Sequence, residues 1–161
     1  MTIPAPIISN PMAIEKDWID YNGHLNMAYY SVLFDRCSDM AFDMMGLGQD
    51  YVRERRLTIY TAEIHLCYVQ ELHLGHEVTA SFQLIDHDDK RLRIYQELHH
   101  VDGWLAATME SLSLHVDMNG PKVAPFPPDV LARVEATRAA HAVLPMPERA
   151  GRSIGIRRKG A

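Results

Sequence analysis

One carboxylate stands out for what surrounds it. In the run Trp18-Ile19-Asp20-Tyr21-Asn22-Gly23-His24-Leu25-Asn26, Asp20 sits on a polar turn directly ahead of a long amphipathic stretch. A helix start leaves backbone N–H groups unpaired and carries the positive end of the helix dipole. A carboxylate base beside such donors suits attack on a carbonyl, whose oxygen must take up negative charge. The turn taken alone favours a plainer role for Asp20, as a cap of the helix or the turn.

Glu63 is the second carboxylate of interest. By period-2 alternation Thr61, Glu63, His65 and Cys67 share one face of a strand. A surface glutamate, or one paired with an arginine, is an equally good reading. The nine histidines include the pairs His73-x-x-His76 and His99-His100, but no zinc-type ligand set accompanies them. We therefore expect neither metal nor cofactor. A Gly-x-Ser-x-Gly elbow, a Gly-x-x-x-x-Gly-Lys phosphate loop and a Gly-x-Gly-x-x-Gly dinucleotide turn are all missing from the 161 residues, which argues against the chemistries they serve.

The elements that must position these groups follow from periodicity. Residues 1–11 read as an extended, proline-punctuated lead-in, and Met12 to Trp18 as a short strand. Tyr30, Leu33, Phe34, Cys37, Met40, Ala41 and Met44 recur at helical spacing, predicting a helix from Met27 to Met45 that Gly46-Leu47-Gly48 stops. Strands are expected over Leu57 to Leu72, Glu77 to Asp86, Arg91 to Val101 and Trp104 to Val116. Turns at His87-Asp88-Asp89-Lys90 and Asp102-Gly103 would join them in an antiparallel meander. A short helix over Asp129 to Ala142 and an Arg-rich tail (Arg149, Arg152, Arg157, Arg158, Lys159) follow. The organisation is α+β, with one unit over 12–118 and an extension over 119–161.

Composition narrows the partners. A net charge of -5 disfavours a general nucleic-acid binder. No run approaches the ~18 apolar residues of a membrane span. The start of the chain lacks a secretory pattern, and Cys37 and Cys67 read as reduced core residues, so a cytoplasmic location is expected.

The turn Asp20-Tyr21-Asn22-Gly23-His24-Leu25-Asn26 resembles the Asp-x-Asn-Gly-His-x-Asn turn ahead of the central helix in the hotdog-fold acyl-CoA thioesterases, the 4-hydroxybenzoyl-CoA thioesterase-like group. Tyr60-Thr61-Ala62-Glu63-Ile64-His65, Asp88-Asp89-Lys90-Arg91-Leu92, Ala124-Pro125-Phe126-Pro127-Pro128 and Leu144-Pro145-Met146-Pro147-Glu148-Arg149-Ala150-Gly151-Arg152 are similar to thioesterases associated with, and sometimes fused to, L-carnitine dehydrogenase. The resemblance implies one long helix wrapped by an antiparallel sheet and hydrolysis of a short acyl-CoA, betainyl-CoA in that subgroup. It makes Asp20 the base or nucleophile, with the backbone N–H at Asn26 or Met27 as oxyanion donor. Asn22 and His24 would shape the turn, and Glu63 would orient water or attract a cationic acyl group.

A quaternary ammonium is best held by aromatic faces. Trp18, Tyr21 and Tyr60 are the expected acyl-group wall, with core packing as the plainer account. Lys90, Arg91, Arg93 and Arg152 are candidates for the coenzyme A phosphates, since arginine offers a planar two-donor fork. An unpaired sheet edge implies a homodimer or a dimer of dimers. A hotdog dehydratase would need a downstream His motif that the sequence does not contain. A non-catalytic acyl-CoA sensor would need a further domain.

Overall fold

Met27–Met44 form the long helix α1 of the computed structural model, which describes residues 2–156 and Arg158. Arg157 and Lys159 of the basic tail lie outside the described residues. Tyr30, Leu33, Phe34, Cys37 and Ala41 are its buried stripe, as the spacing requires. Met40 is half-buried, whereas Met44 is exposed and Met45, just past the helix, takes the buried place. The chain leaves the helix there through Gly46 at φ 71°, a left-handed turn that redirects it.

Among the described residues seven strands make one sheet: β1 (Ile7–Ile8), β2 (Met12–Ala13), β3 (Leu57–Tyr68), β4 (Glu77–His87), β5 (Arg91–His100), β6 (Leu105–Asp117) and β7 (Lys122–Val123). Their order is β1-β4-β5-β6-β3, with β2 also on β4 and β7 on β6, and every pairing is antiparallel. The expected meander is thus corrected. Short turns make β4, β5 and β6 neighbours, but the longer connection 69–76 carries the chain away from β3, which pairs with β6 instead.

Three further expectations change. The strand over Met12 to Trp18 is two strand residues followed by a 3-10 turn, Lys16–Trp18. The lead-in is not free of packing: Ile7 is buried and pairs with Phe82 of β4. A second helix, α2 (Gln49–Arg55), stands where none was expected. Asp50 in its first turn and Arg53 and Arg55 in its last suit the helix dipole, a signal present in the sequence.

Helix α1 packs on the face of the sheet that carries Leu92, Ile94, Gln96 and Leu98 of β5 and Ala107 and Met109 of β6. With Phe82 and Leu84 of β4 these form the core. Helix α3 (Pro128–His141) packs on β4, and its buried His141 accepts the Leu84 N–H at 2.9 Å, where the β4 ladder shifts register. On the opposite face the chain after α3 lies across the sheet. Gln83 Nε2 donates to the Pro145 carbonyl at 3.2 Å, and the Gly151 N–H donates to Glu110 at 2.6 Å.

Candidate active site

The Asp20 turn is held by its own backbone. The Asp20 N–H donates to the His24 carbonyl at 3.1 Å, and the Gly23 N–H donates to the Asp20 carbonyl at 3.0 Å. Gly23 has φ 83°, a conformation that glycine adopts at no steric cost. One carboxylate oxygen of Asp20 accepts the Asn22 N–H at 2.8 Å. That donor is the Asn22 backbone amide.

The helix start then decides which N–H is available. Asn26 is the N-cap, and its side-chain oxygen accepts the Ala28 N–H at 3.0 Å. The Asn26 N–H itself is spent on the Trp18 carbonyl at 2.9 Å. Of the two expected donors only the Met27 N–H makes no hydrogen bond among the described residues. It lies at the positive end of an 18-residue helix, where a developing anion is best stabilised.

Residues from the connection after β3 close the other side of this cleft, whose volume is about 460 Å³. The Leu25 N–H donates to the Leu72 carbonyl at 2.7 Å. His73 Nδ1 donates to the Gly23 carbonyl at 3.2 Å. His24 Nε2 lies 3.4 Å from Glu71, on a loop that also lines the cleft. Tyr68, the last residue of β3, donates its hydroxyl to the Met27 carbonyl at 3.0 Å. Tyr30 meets the Tyr68 ring edge-on at 5.0 Å. Tyr30 is expected only as part of the helix stripe. Tyr68, Glu71 and His73 are not expected here, because they lie some fifty residues along the chain from Asp20 and no spacing rule joins them. Only Tyr21 of the expected aromatic set lines the cleft, and it is 98% exposed.

Trp18 is buried, stacked by Tyr29 at 5.5 Å with the Arg36 guanidinium over its ring at 5.0 Å. That makes it packed core. Tyr60 pairs with Leu114 near the other end of β3. Glu63 also stands apart from Asp20 within the chain. The β3 ladder shifts between Thr61 and Glu63, so Ala62 is a bulge that corrects the expected shared face: Thr61 pairs with Ser113 and points toward α1, while Glu63, His65 and Cys67 point away. Glu63 there borders a hollow with His65, Arg93, Glu110 and Arg152.

The basic candidates divide. Arg91 is paired with Asp88, whose carboxylate also accepts the Lys90 and Arg91 N–H groups at 3.0 and 2.7 Å. The Arg91 hydrogen bond first, against opposing burial, pulls the Asp88 carboxyl below its ordinary range. Arg93 is paired with Glu110 at 2.6 Å. Arg152 is exposed on the tail beside that pair. Cys37 and Cys67 are free thiols; burial pushes Cys37 up to about 11. Among the described residues no three His, Cys, Asp or Glu side chains are grouped to hold a metal ion, and no helix is long and apolar enough to cross a membrane.

A second groove of about 470 Å³ runs along the flank of α1, between Asp35, Asp39 and Phe42 on the helix and Ile59, Thr61 and Ile64 on β3. Burial first, and Asp35 second, raise the Asp39 carboxyl above its usual range. Both hollows border β3, the sheet edge that pairs on one side only.

A turn carboxylate at the start of one long helix wrapped by a single antiparallel sheet is a hotdog thioesterase arrangement, and the chain belongs to the thioesterase-like superfamily, whose family model matches residues 14–134. It is a thioester hydrolase by that membership and by its relatives. A betainyl-CoA thioesterase of Pseudomonas aeruginosa is 40% identical over 141 residues, which are 87% of this chain and 89% of that protein. An L-carnitine dehydrogenase/betainyl-CoA thioesterase of Rhizobium meliloti is 35% identical over 90% of this chain, which corresponds to 29% of that longer protein. Among solved structures, a Staphylococcus aureus protein in complex with CoA superposes with TM-score 0.88 at 25% identity, covering 98% of each chain. A putative thioesterase of Pseudomonas putida superposes with TM-score 0.82 at 30% identity, covering 95% of this chain and 98% of that one.

Proposed function

We propose that this protein hydrolyses a short acyl-CoA with a cationic acyl group, betainyl-CoA, to glycine betaine and CoA. The 40% identity to the Pseudomonas aeruginosa betainyl-CoA thioesterase over 87% of the chain carries the substrate. That Asp20 and Met27, whose N–H is uncommitted, line the same cleft supports the mechanism.

In that mechanism the thioester carbonyl lies at the start of α1 with its oxygen toward the Met27 N–H. Asp20 takes a proton from water as the water oxygen bonds to the carbonyl carbon. The tetrahedral oxyanion is held by the N–H and the helix dipole. Collapse breaks the carbon–sulfur bond, and the departing thiolate receives the proton from Asp20. If Asp20 attacks directly instead, its carboxylate oxygen bonds to the acyl carbon, the carbon–sulfur bond breaks and CoA leaves as the thiolate. Water adding at the aspartyl carbonyl then opens the acyl–aspartyl anhydride. Single turnover in ¹⁸O-water separates the routes, because the direct route leaves label in the Asp20 carboxylate. A second copy of the chain, added along β3, completes both grooves, and the homodimer works in the cytoplasm.

Substrate choice is tested with a matched pair. Betainyl-CoA and 3,3-dimethylbutyryl-CoA share a shape and differ in charge. Tyr21, Tyr30 and Tyr68 line the Asp20 cleft. Two or three aromatic–cation contacts of ~0.5–2 kcal/mol each would give the cationic substrate a roughly ten- to thousandfold advantage in kcat/KM. Equal values for the pair would sink the betainyl reading and leave the thioesterase class intact.

A further inference from the structure

We propose that Tyr68 is a positioning residue for the oxyanion donor, acting by clamping the Met27–Ala28 peptide; the inference rests on the role given to the Met27 N–H above. That peptide is held at both ends. Its N–H donates to Asn26 Oδ1 at 3.0 Å, and its carbonyl accepts the Tyr68 hydroxyl at 3.0 Å. The neighbouring N–H, on Met27 itself, is the one left uncommitted.

Only the two soft dihedrals of Met27 separate that N–H from the clamped peptide. Holding the Met27–Ala28 plane therefore restrains where the free N–H points. The restraint matters because a helix frays at its first turn, where backbone groups lack helical partners. The side chain of Met27 is exposed and supplies little packing to hold the turn.

Tyr68 is well placed to serve as a fixed point. It ends β3, pairs with Ala107, and its ring meets Tyr30 edge-on at 5.0 Å with planes 83° apart. Tyr30 follows Met27 by nearly one turn of α1, and its hydroxyl accepts the Leu72 N–H at 3.3 Å. Strand, helix and the 69–76 connection thus meet at the ring, while the hydroxyl reaches the helix start. Burial raises the Tyr68 hydroxyl above its ordinary pKa, which keeps it a donor. The aromatic ring accounts for packing; the hydroxyl contact is extra to it, and the proposal concerns the hydroxyl.

Tyr68→Phe keeps the ring and removes that contact. In the full-length protein without substrate, amide exchange at Ala28, read by NMR, should become faster. With the best acyl-CoA substrate, kcat should fall about tenfold, with KM unchanged and kcat/KM falling in the same proportion. A role in packing alone would show instead as a lower melting temperature with unchanged kcat. Unchanged Ala28 exchange overturns the clamp whatever the turnover. Unchanged kcat in a variant with faster exchange overturns the catalytic role. Failure of the thioesterase reading is a separate result, visible as wild-type protein inert on every acyl-CoA tried.

Discussion

The Leu25 amide donates to the Leu72 carbonyl at 2.7 Å, so the Asp20 turn and the β3–β4 connection are one unit. Two side chains reinforce it, His73 on the Gly23 carbonyl at 3.2 Å and Tyr68 on the Met27 carbonyl at 3.0 Å. The turn carries Asp20, the proposed base, and the connection fixes its frame. That division shapes what each substitution should do.

Asp20→Asn should fold normally and lose most turnover. A positioned general base contributes ~10²–10⁴-fold, and a nucleophile more. The Asn22 N–H can still donate to the amide oxygen that replaces the carboxylate, so the turn should persist. Circular dichroism and kcat measured on the same preparation decide the matter; near-normal turnover would return Asp20 to a structural role.

Gly23→Ala tests the turn rather than the base. An added Cβ would meet nothing within 4 Å, so any cost comes from φ 83° alone. Holding a non-glycine residue in the left-handed region costs about 1–2 kcal/mol. The thermal midpoint should drop modestly while kcat falls further, since Gly23 donates to the Asp20 carbonyl and accepts from His73. A variant as active as wild type would mean the turn tolerates another shape.

Stability should decline on the acid side. His115 donates through Nδ1 to the Ala124 carbonyl at 2.7 Å, leaving Nε2 to accept the Tyr51 hydroxyl at 2.7 Å. His141 donates through Nε2 to the Pro4 carbonyl at 2.9 Å and accepts the Leu84 N–H. A second proton on either ring would destroy an acceptor. Burial holds both below the ordinary 6.5. The unfolded chain therefore takes up protons near 6.5 that the folded chain refuses. Their contribution is complete above that pH and is lost below it, by up to about 1.4 kcal/mol per pH unit for each ring. Denaturant midpoints that stay constant between about pH 7.5 and about pH 5 would contradict this.

The open edge of β3 makes an assembly prediction. Ile64 faces the groove along α1 and is 48% exposed in the single chain. A long strand edge left bare, with Tyr60, Ile64 and Tyr68 exposed along it, invites pairing with a second copy. Sedimentation at micromolar concentration should give a homodimer. Ile64→Lys should shift it toward monomer and lower activity together. An active wild-type monomer would remove the argument that the partner completes the grooves.

Local sequence determined a good deal here. The 3.6-residue spacing of Tyr30, Leu33, Phe34, Cys37 and Ala41 specifies α1 and its buried face, because periodicity is a property of neighbours along the chain. Alternation and the turns at Asp88-Asp89 and Asp102-Gly103 likewise mark β4, β5 and β6 and make them adjacent. The short helix α2 carried its charge signal in plain view, yet seven residues are too few for a clear apolar stripe. The Asp20 turn was readable as a family motif because its residues are contiguous. Strand β3 was another matter. Its place beside β6, and the bulge at Ala62 that turns Glu63 away from α1, depend on partners that lie some fifty residues onward. Trp18 looked like a wall for a cation, but stacking by Tyr29 and cover from Arg36 make it core. Which N–H stays free at the helix start was equally invisible, since the Asn26 amide is consumed by Trp18 only once the turn has closed. Sequence spacing records what one segment can do alone; the commitments of individual donors and faces are made when distant segments meet.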